Sequence, residues 1–111
     1  MNMPTRSASD IEKVNMRDFN AAKARYAGRT IEMIGYVDSC RNPTSRIHVD
    51  LAEDLNDIKS PVVPIEINDS DAAYDKARSL RHGDKLRLRL EIIKFGREVE
   101  IKVIDFDVLD E

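Results

Sequence analysis

The sequence predicts a mainly β domain, a five-stranded barrel with one helix ahead of the strands and a second between strands three and four. Three observations lead there. Residues 79–92, "SLRHGDKLRLRLEI", pass at a single glycine, Gly83, from a helix-like end to strict alternation of apolar and charged residues. Four further stretches alternate in the same way, as expected of strands with one dry and one wet face. With 111 residues there is room for one core only.

In chain order, residues 1–9 are expected to form a flexible N-terminus and residues 10–111 one domain. "SDIE" (Ser9 to Glu12) fits a capping box. Ile11, Phe19, Ala22 and Tyr26 can share a helical stripe, and Gly28 supplies a stop, which predicts a helix over about 10–25. The stripe is thin, so this helix is expected on a surface of the domain. In "RTIEMIGYVDSC" (29–40), Ile31, Met33, Gly35 and Val37 alternate with Thr30, Glu32, Ile34 and Tyr36, giving strand one, with a bulge or bend at Gly35. "RNPTS" (41–45) is a loop.

"RIHVDLA" (46–52) is strand two, with Ile47, Val49 and Leu51 inward and His48 and Asp50 outward. "PVVPIEIN" (61–68) is strand three, with Val63, Ile65 and Ile67 on one face, and its two prolines suit an edge or a bulge. Residues 70–81 are predicted helical, with Ala73, Ala77 and Leu80 on one side and Arg78, Arg81 and His82 near a terminus closed by Gly83. Strand four, "DKLRLRLEIIKF", turns Leu86, Leu88, Leu90 and Ile92 inward. Strand five, "REVEIKVIDFDVL", turns Val99, Ile101 and Val103 inward; its parity then switches to Ile104, Phe106 and Val108, which implies a bulge near 103–105.

Composition narrows the function classes. The chain is 41% hydrophobic and 35% charged with no tryptophan, which predicts a folded domain with a modest core. A net charge of -3 argues against a non-specific polyanion binder. The charge is uneven: +3 over residues 1–29, -7 over 30–75, +5 over 76–102 and -4 over 103–111. Cys40 is the one cysteine, so no internal disulfide or cysteine zinc cluster can form. Nothing resembles a signal peptide or a membrane span, so a cytoplasmic protein with no membrane contact is expected.

Helix, three strands, helix, two strands is the plan of the OB barrel, in which the helix after strand three plugs one end. An open α+β sheet with both helices on one side is the rival. "YAGRTIEMIGYV" (26–37) and "ARSLRHGDKLRLRLEI" (77–92) carry a Tyr-x-Gly-Arg into strand one and a Leu-x-x-Gly-Asp into strand four. On these motifs the chain resembles the tRNA-anticodon-binding-like OB-fold family over about residues 10–109. The resemblance implies the OB fold. It also implies a ligand among those that OB barrels take: single-stranded nucleic acid, oligosaccharides or proteins.

OB barrels bind on the outer face of strands two and three and in the loops after strands one and four. Here the first loop carries Arg41 and Arg46, and the second, "KFGR", carries Lys94, Phe95 and Arg97. An aromatic between cations at a hairpin tip can stack on a base while the cations hold phosphates. Tyr36 and His48 would complete that surface. Phe95 could equally cover the barrel rim.

Strand four's outer face, Lys85, Arg87, Arg89 and Glu91, reads either as a basic ridge or, preferably, as a solvated face. With Phe95-Gly96 as the turn, Arg89 would oppose Lys102 and Glu91 would oppose Glu100, with complementary charges only on the diagonals. The acidic stretch from Asp50 to Asp57 weighs against a phosphate backbone nearby. His48 and His82 lack metal or triad spacing, Cys40 beside Arg41 has no placed base, and no Gly-rich phosphate loop exists. The expectation is a binding module and not an enzyme, with no cofactor or metal. Its partner is single-stranded DNA or RNA or, alternatively, a protein.

Overall fold

In the computed structural model, residues 11–42 and 45–109 are described. The expected flexible segment 1–9 with Ser9, and Pro43 and Thr44 of the first loop, lie outside them. The elements are β1 (Glu12–Lys13), α1 (Met16–Ala21), a 3-10 turn (Lys23–Tyr26), β2 (Thr30–Arg41), β3 (Arg46–Ala52), β4 (Val62–Asn68), α2 (Tyr74–Ala77), β5 (Lys85–Phe95) and β6 (Glu98–Leu109). The five long strands agree with the alternation in the sequence to within about a residue at each end.

Their pairings form a circuit. β2 pairs antiparallel with β3 and β5, β3 with β4, β5 with β6, and β4 meets β6 in parallel through the single pair Glu66 and Lys102. One row of register partners runs Arg41, His48, Glu66, Lys102, Glu91, Thr30, and so returns to β2 eleven residues from its start. Stagger of this size requires strands strongly tilted to the axis of the ring.

Inward residues meet inside this circuit. Ile31, Val37, Ile47, Val49, Leu51, Val63, Ile67, Leu86, Leu88, Leu90 and Ile92 are fully buried, and Met33, Ile65, Val103 and Phe106 nearly so. Among the described residues no polar or charged side chain is buried. Val99 and Ile101, expected inward, are only partly buried against the core.

The bulge expected near 103–105 is present, with Ile104 the extra residue between the pairs Leu90–Val103 and Arg89–Asp105. It points Ile104 outward, however, so Val103 and Phe106 fill the core in its place. Val108 shares the parity of Phe106 but is near the strand's end and is exposed. The bend in β2 falls at Asp38, between Val37 and Ser39, and not at Gly35.

Gly35 keeps its place in the ladder opposite Leu86 for another reason. A Cβ there would overlap Met16 Cε and press on Leu51 Cβ at 3.3 Å, so the glycine admits α1 to the core. Met16 and Phe19 are fully buried while Arg17, Asp18, Asn20 and Ala21 are exposed, so α1 lies on the surface of the domain and packs inward through a thin stripe.

The two helices are shorter than expected. In place of one helix over 10–25, Glu12 and Lys13 pair with β2 and Val14 N–H donates to the Glu32 carbonyl at 2.9 Å, ahead of the short α1 and the 3-10 turn. Asn15 is the N-cap of α1, its side chain accepting from Asp18 N–H at 2.8 Å. In place of a helix over 70–81 stands the single turn Tyr74–Ala77, although Ala73, Ala77 and Leu80 are buried as expected. Gly83 is not its cap. With φ of +95°, Gly83 sits inside a turn closed by Asp84 N–H donating to the Arg81 carbonyl, and its own N–H continues the ladder to Val37.

Two expected outcomes follow from this packing. Leu88 lies between Met33 and Phe106, so Leu88→Ala should lower unfolding free energy by about 2–5 kcal/mol in chemical denaturation. A loss under about 1 kcal/mol would mean the face is misassigned. Gly35→Ala should cost about 1–3 kcal/mol through overpacking, and clearly less in a Met16→Ala background. Additive losses would show that Met16 is not the reason for the glycine.

Candidate functional site

The residues singled out in the sequence fall into three places. Arg41 ends β2 opposite His48, and Arg46 opens β3 opposite Asn68. Both arginines are exposed, and Arg46 and His48 approach Glu66 of β4. His48 Nδ1 is 3.2 Å from Glu66 Oε1, and Arg46 Nη1 is 4.0 Å from Glu66 Oε2.

Lys94, Phe95 and Arg97 form the tip of the β5–β6 hairpin. The turn is Gly96-Arg97, one residue later than expected, because Phe95 pairs with Glu98. Gly96 has φ of +59°, the left-handed conformation that a tight turn favours in glycine. Phe95 is 60% exposed, so it does not cover the rim; both neighbouring cations are exposed as well.

Tyr36 stands apart from both groups. It pairs with Lys85, whose Nζ lies 5.7 Å from the ring centre. Its side chain lines a different hollow, with Glu53, Asp54, Leu55, Asn56 and Gly83.

A groove of about 500 Å³ lies beside Glu66, and none of the six residues of these two groups lines it. It runs along the seam where β4 and β6 share only one pair, and is lined by Pro64, Glu66 and Asn68 on one wall and Ile93, Val99 and Lys102 on the other. Because β6 runs parallel to β4, the hairpin tip lies toward the start of β4, while Arg41 and Arg46 lie at its end. The two basic loops therefore lie toward opposite ends of the β4–β6 seam, and not on a common edge. Lys23 also reaches the groove, as do the acids Asp71 and Glu100. These residues escaped sequence reasoning because no local pattern shows which strands leave a seam open.

The acidic loop is further from the arginines than the sequence suggests. Glu53, Asp54 and Asp57 follow the far end of β3, about 20 Å from Arg46 along the strand. Asp50 is on the outer face but is held by the Ser39 hydroxyl at 2.9 Å.

The shifted turn also changes the register behind the charged face of β5. Glu91 opposes Lys102, Arg89 opposes Asp105 and Arg87 opposes Asp107, so charges complement each other directly and not only on diagonals. Arg89 donates to Asp105 at 2.7 Å and Arg87 to Asp107 at 3.3 Å. Burial pushes the Asp105 carboxyl up, but hydrogen bonds from Phe106 N–H, Arg89 and Lys76 outweigh it and hold the group below its ordinary value. Lys76 also donates to the Phe106 carbonyl and occupies the part of the β6 edge that β4 leaves. This face is a set of mutually satisfied charges and forms no basic ridge.

The nucleophile and acid–base candidates are likewise engaged. Burial pushes the Cys40 thiol up, the opposite of what a reactive thiolate needs. His82 Nδ1 lies 2.7 Å from the Asp38 carbonyl, which can only accept, so that nitrogen carries the proton. Among the described residues no group of three or more His, Cys, Asp or Glu could hold a metal, and no helix is long and apolar enough to cross a membrane.

No protein-family model and no curated protein matches this sequence. Solved structures do match. An OBody bound to hen egg-white lysozyme superposes with a TM-score of 0.63 at 13% identity, over 78% of this chain and 85% of that one. An asparaginyl-tRNA synthetase from Pyrococcus horikoshii gives 0.64 at 17% identity over 89% of this chain. The S. pombe Stn1-Ten1 complex gives 0.57 at 19% over 74% of this chain and 59% of the matched chain. This chain spans 23% of the synthetase's length, so the match there is to one part of a larger protein. Identities this low speak for the fold alone, and that fold agrees with the strand pairings: the chain is an OB-fold domain.

Proposed function

We propose that the five long strands form a closed barrel and that the domain is a binding module for single-stranded nucleic acid. The strand would lie along the β4–β6 groove, between the hairpin tip of Lys94, Phe95 and Arg97 and the cluster of Arg41, Arg46 and His48. One observation carries the reading: Phe95 is 60% exposed between two exposed cations, at the tip of the hairpin whose Ile93 and Val99 line the groove. A bare aromatic is a stacking platform for any base, and flanking cations suit the adjoining phosphates. Lys23 and Lys102 continue the positive charge along the groove. Tyr36, in its separate hollow, has no part in this reading.

A binding module and not an enzyme is also the reading that the engaged states of Cys40, His48 and His82 favour. A cytoplasmic setting stays an expectation from the sequence.

A protein partner is the second reading, and the groove's own acids favour it. Glu66, Asp71 and Glu100 line the same walls as the two lysines, and a mixed lining suits a polypeptide better than a polyanion. The structural neighbours fall on both sides: a tRNA synthetase, a complex of two proteins and a domain bound to lysozyme.

Titration of a labelled single-stranded oligonucleotide at low salt separates the two. Phe95→Ala should weaken binding by roughly 1–3 kcal/mol, the value of one stacked base. Arg41→Ala with Arg97→Ala should weaken binding to all sequences alike and flatten the slope of log K against log salt. Wild type with no affinity down to millimolar would overturn the nucleic-acid reading in favour of the protein one.

A further inference from the structure

We infer that Glu66 competes with ligand phosphate for Arg46 and His48, and so sets how tightly and how salt-sensitively the groove takes a polyanion. The inference rests on the nucleic-acid reading of the groove.

Glu66 differs from the other acids on this surface in what holds it. Asp50 accepts from the Ser39 hydroxyl, and Asp71 accepts from Asn68 N–H at 2.9 Å, so both are occupied in shaping the local backbone and strands. Glu66 instead faces cations of the proposed binding surface: His48 at 3.2 Å and Arg46 at 4.0 Å. Lys102 is its register partner across the seam, and Arg41 is the register partner of His48. Glu66 thus stands beside the basic cluster and lines the groove.

The chemistry of exchange is simple. A carboxylate and a phosphodiester offer the same pair of acceptor oxygens to guanidinium and imidazole donors. The Glu66 side chain is 49% exposed and belongs to no buried network, so it can turn toward water as a phosphate arrives. With Glu66 in place, an incoming phosphate must displace a carboxylate and also meet its charge. Glutamine at this position keeps the shape and an acceptor oxygen but removes the charge.

The test uses the full chain, a labelled oligothymidylate about fifteen nucleotides long, and inorganic polyphosphate in parallel. Glu66→Gln should bind the oligonucleotide roughly three- to tenfold more tightly than wild type at about 0.05 M salt, with the gain fading toward about 0.5 M. Polyphosphate should show the same gain, since it has phosphates and no bases. Asp75→Asn removes one negative charge from exposed α2, outside the groove, and should bind as wild type does. In a chain that also carries Arg46→Ala and His48→Gln, the gain from Glu66→Gln should shrink to near nothing.

Glu66→Gln behaving like Asp75→Asn, while wild type binds measurably, would overturn this inference and leave the binding reading intact. A gain that persists without Arg46 and His48 would also overturn it, since the effect would then be one of overall field. No binding by any of the variants or wild type would overturn both the inference and the reading beneath it.

Discussion

Closure of the strand circuit depends on one narrow contact. β3 and β4 share seven register pairs and β5 and β6 eleven, but β4 meets β6 at Glu66 and Lys102 alone. Two bulges, at Asp38 and Ile104, bring the strands to that meeting with their apolar faces still turned inward. A bulge bends its strand and raises local twist, so ends that would splay in a flat sheet come together. The same contact that completes the circuit leaves the seam on one side of it open. The groove, the hairpin projecting beside it and the cluster at its far end are consequences of that incomplete edge.

The N-terminal segment stabilises the circuit from outside the strand set. The extended stretch with β1 pairs along β2 where β3 no longer follows, and α1 then delivers Met16 and Phe19 into the core. Asn20 ties this helix to β4 through the Val62 carbonyl at 3.0 Å. Gly35 allows the approach, since any side chain on that residue would take the volume of the Met16 terminus. On the opposite flank Lys76 does the corresponding task for β6, bonding a carbonyl that lies beyond the reach of β4.

Much of this was legible in the sequence, and for a definite reason. Alternation such as Leu86, Leu88, Leu90 and Ile92 is set by the pleat itself, so each long strand, and the inward face of all but β6, could be read directly. The switch of parity after Val103 likewise signalled a bulge. The start of the first helix was not legible, because Glu12 and Lys13, within the stretch that reads as helical, pair with β2, a non-local contact. The reason for Gly35 was hidden in the same way, since its neighbour Met16 is distant in sequence. A turn displaced by one residue, together with the bulge at Ile104, reassigned the charge pairs across β5 and β6. At the site, the residue types in the two loops were apparent, but their placement toward opposite ends of one seam and the place of Glu66 in it required the pairing of β4 with β6.

That groove is the central claim, and residue-resolved mapping tests it most directly. Amide shifts of the full chain should be followed by NMR while a short single-stranded oligonucleotide is added at low salt. The largest changes should trace a continuous path from residues 94–97, through 64–66 and 99–102, to Arg46 and His48, with Tyr36 and residues 53–57 unmoved. Changes confined to the hollow beside Tyr36, or spread along the paired face of Arg87 and Arg89, would contradict the account.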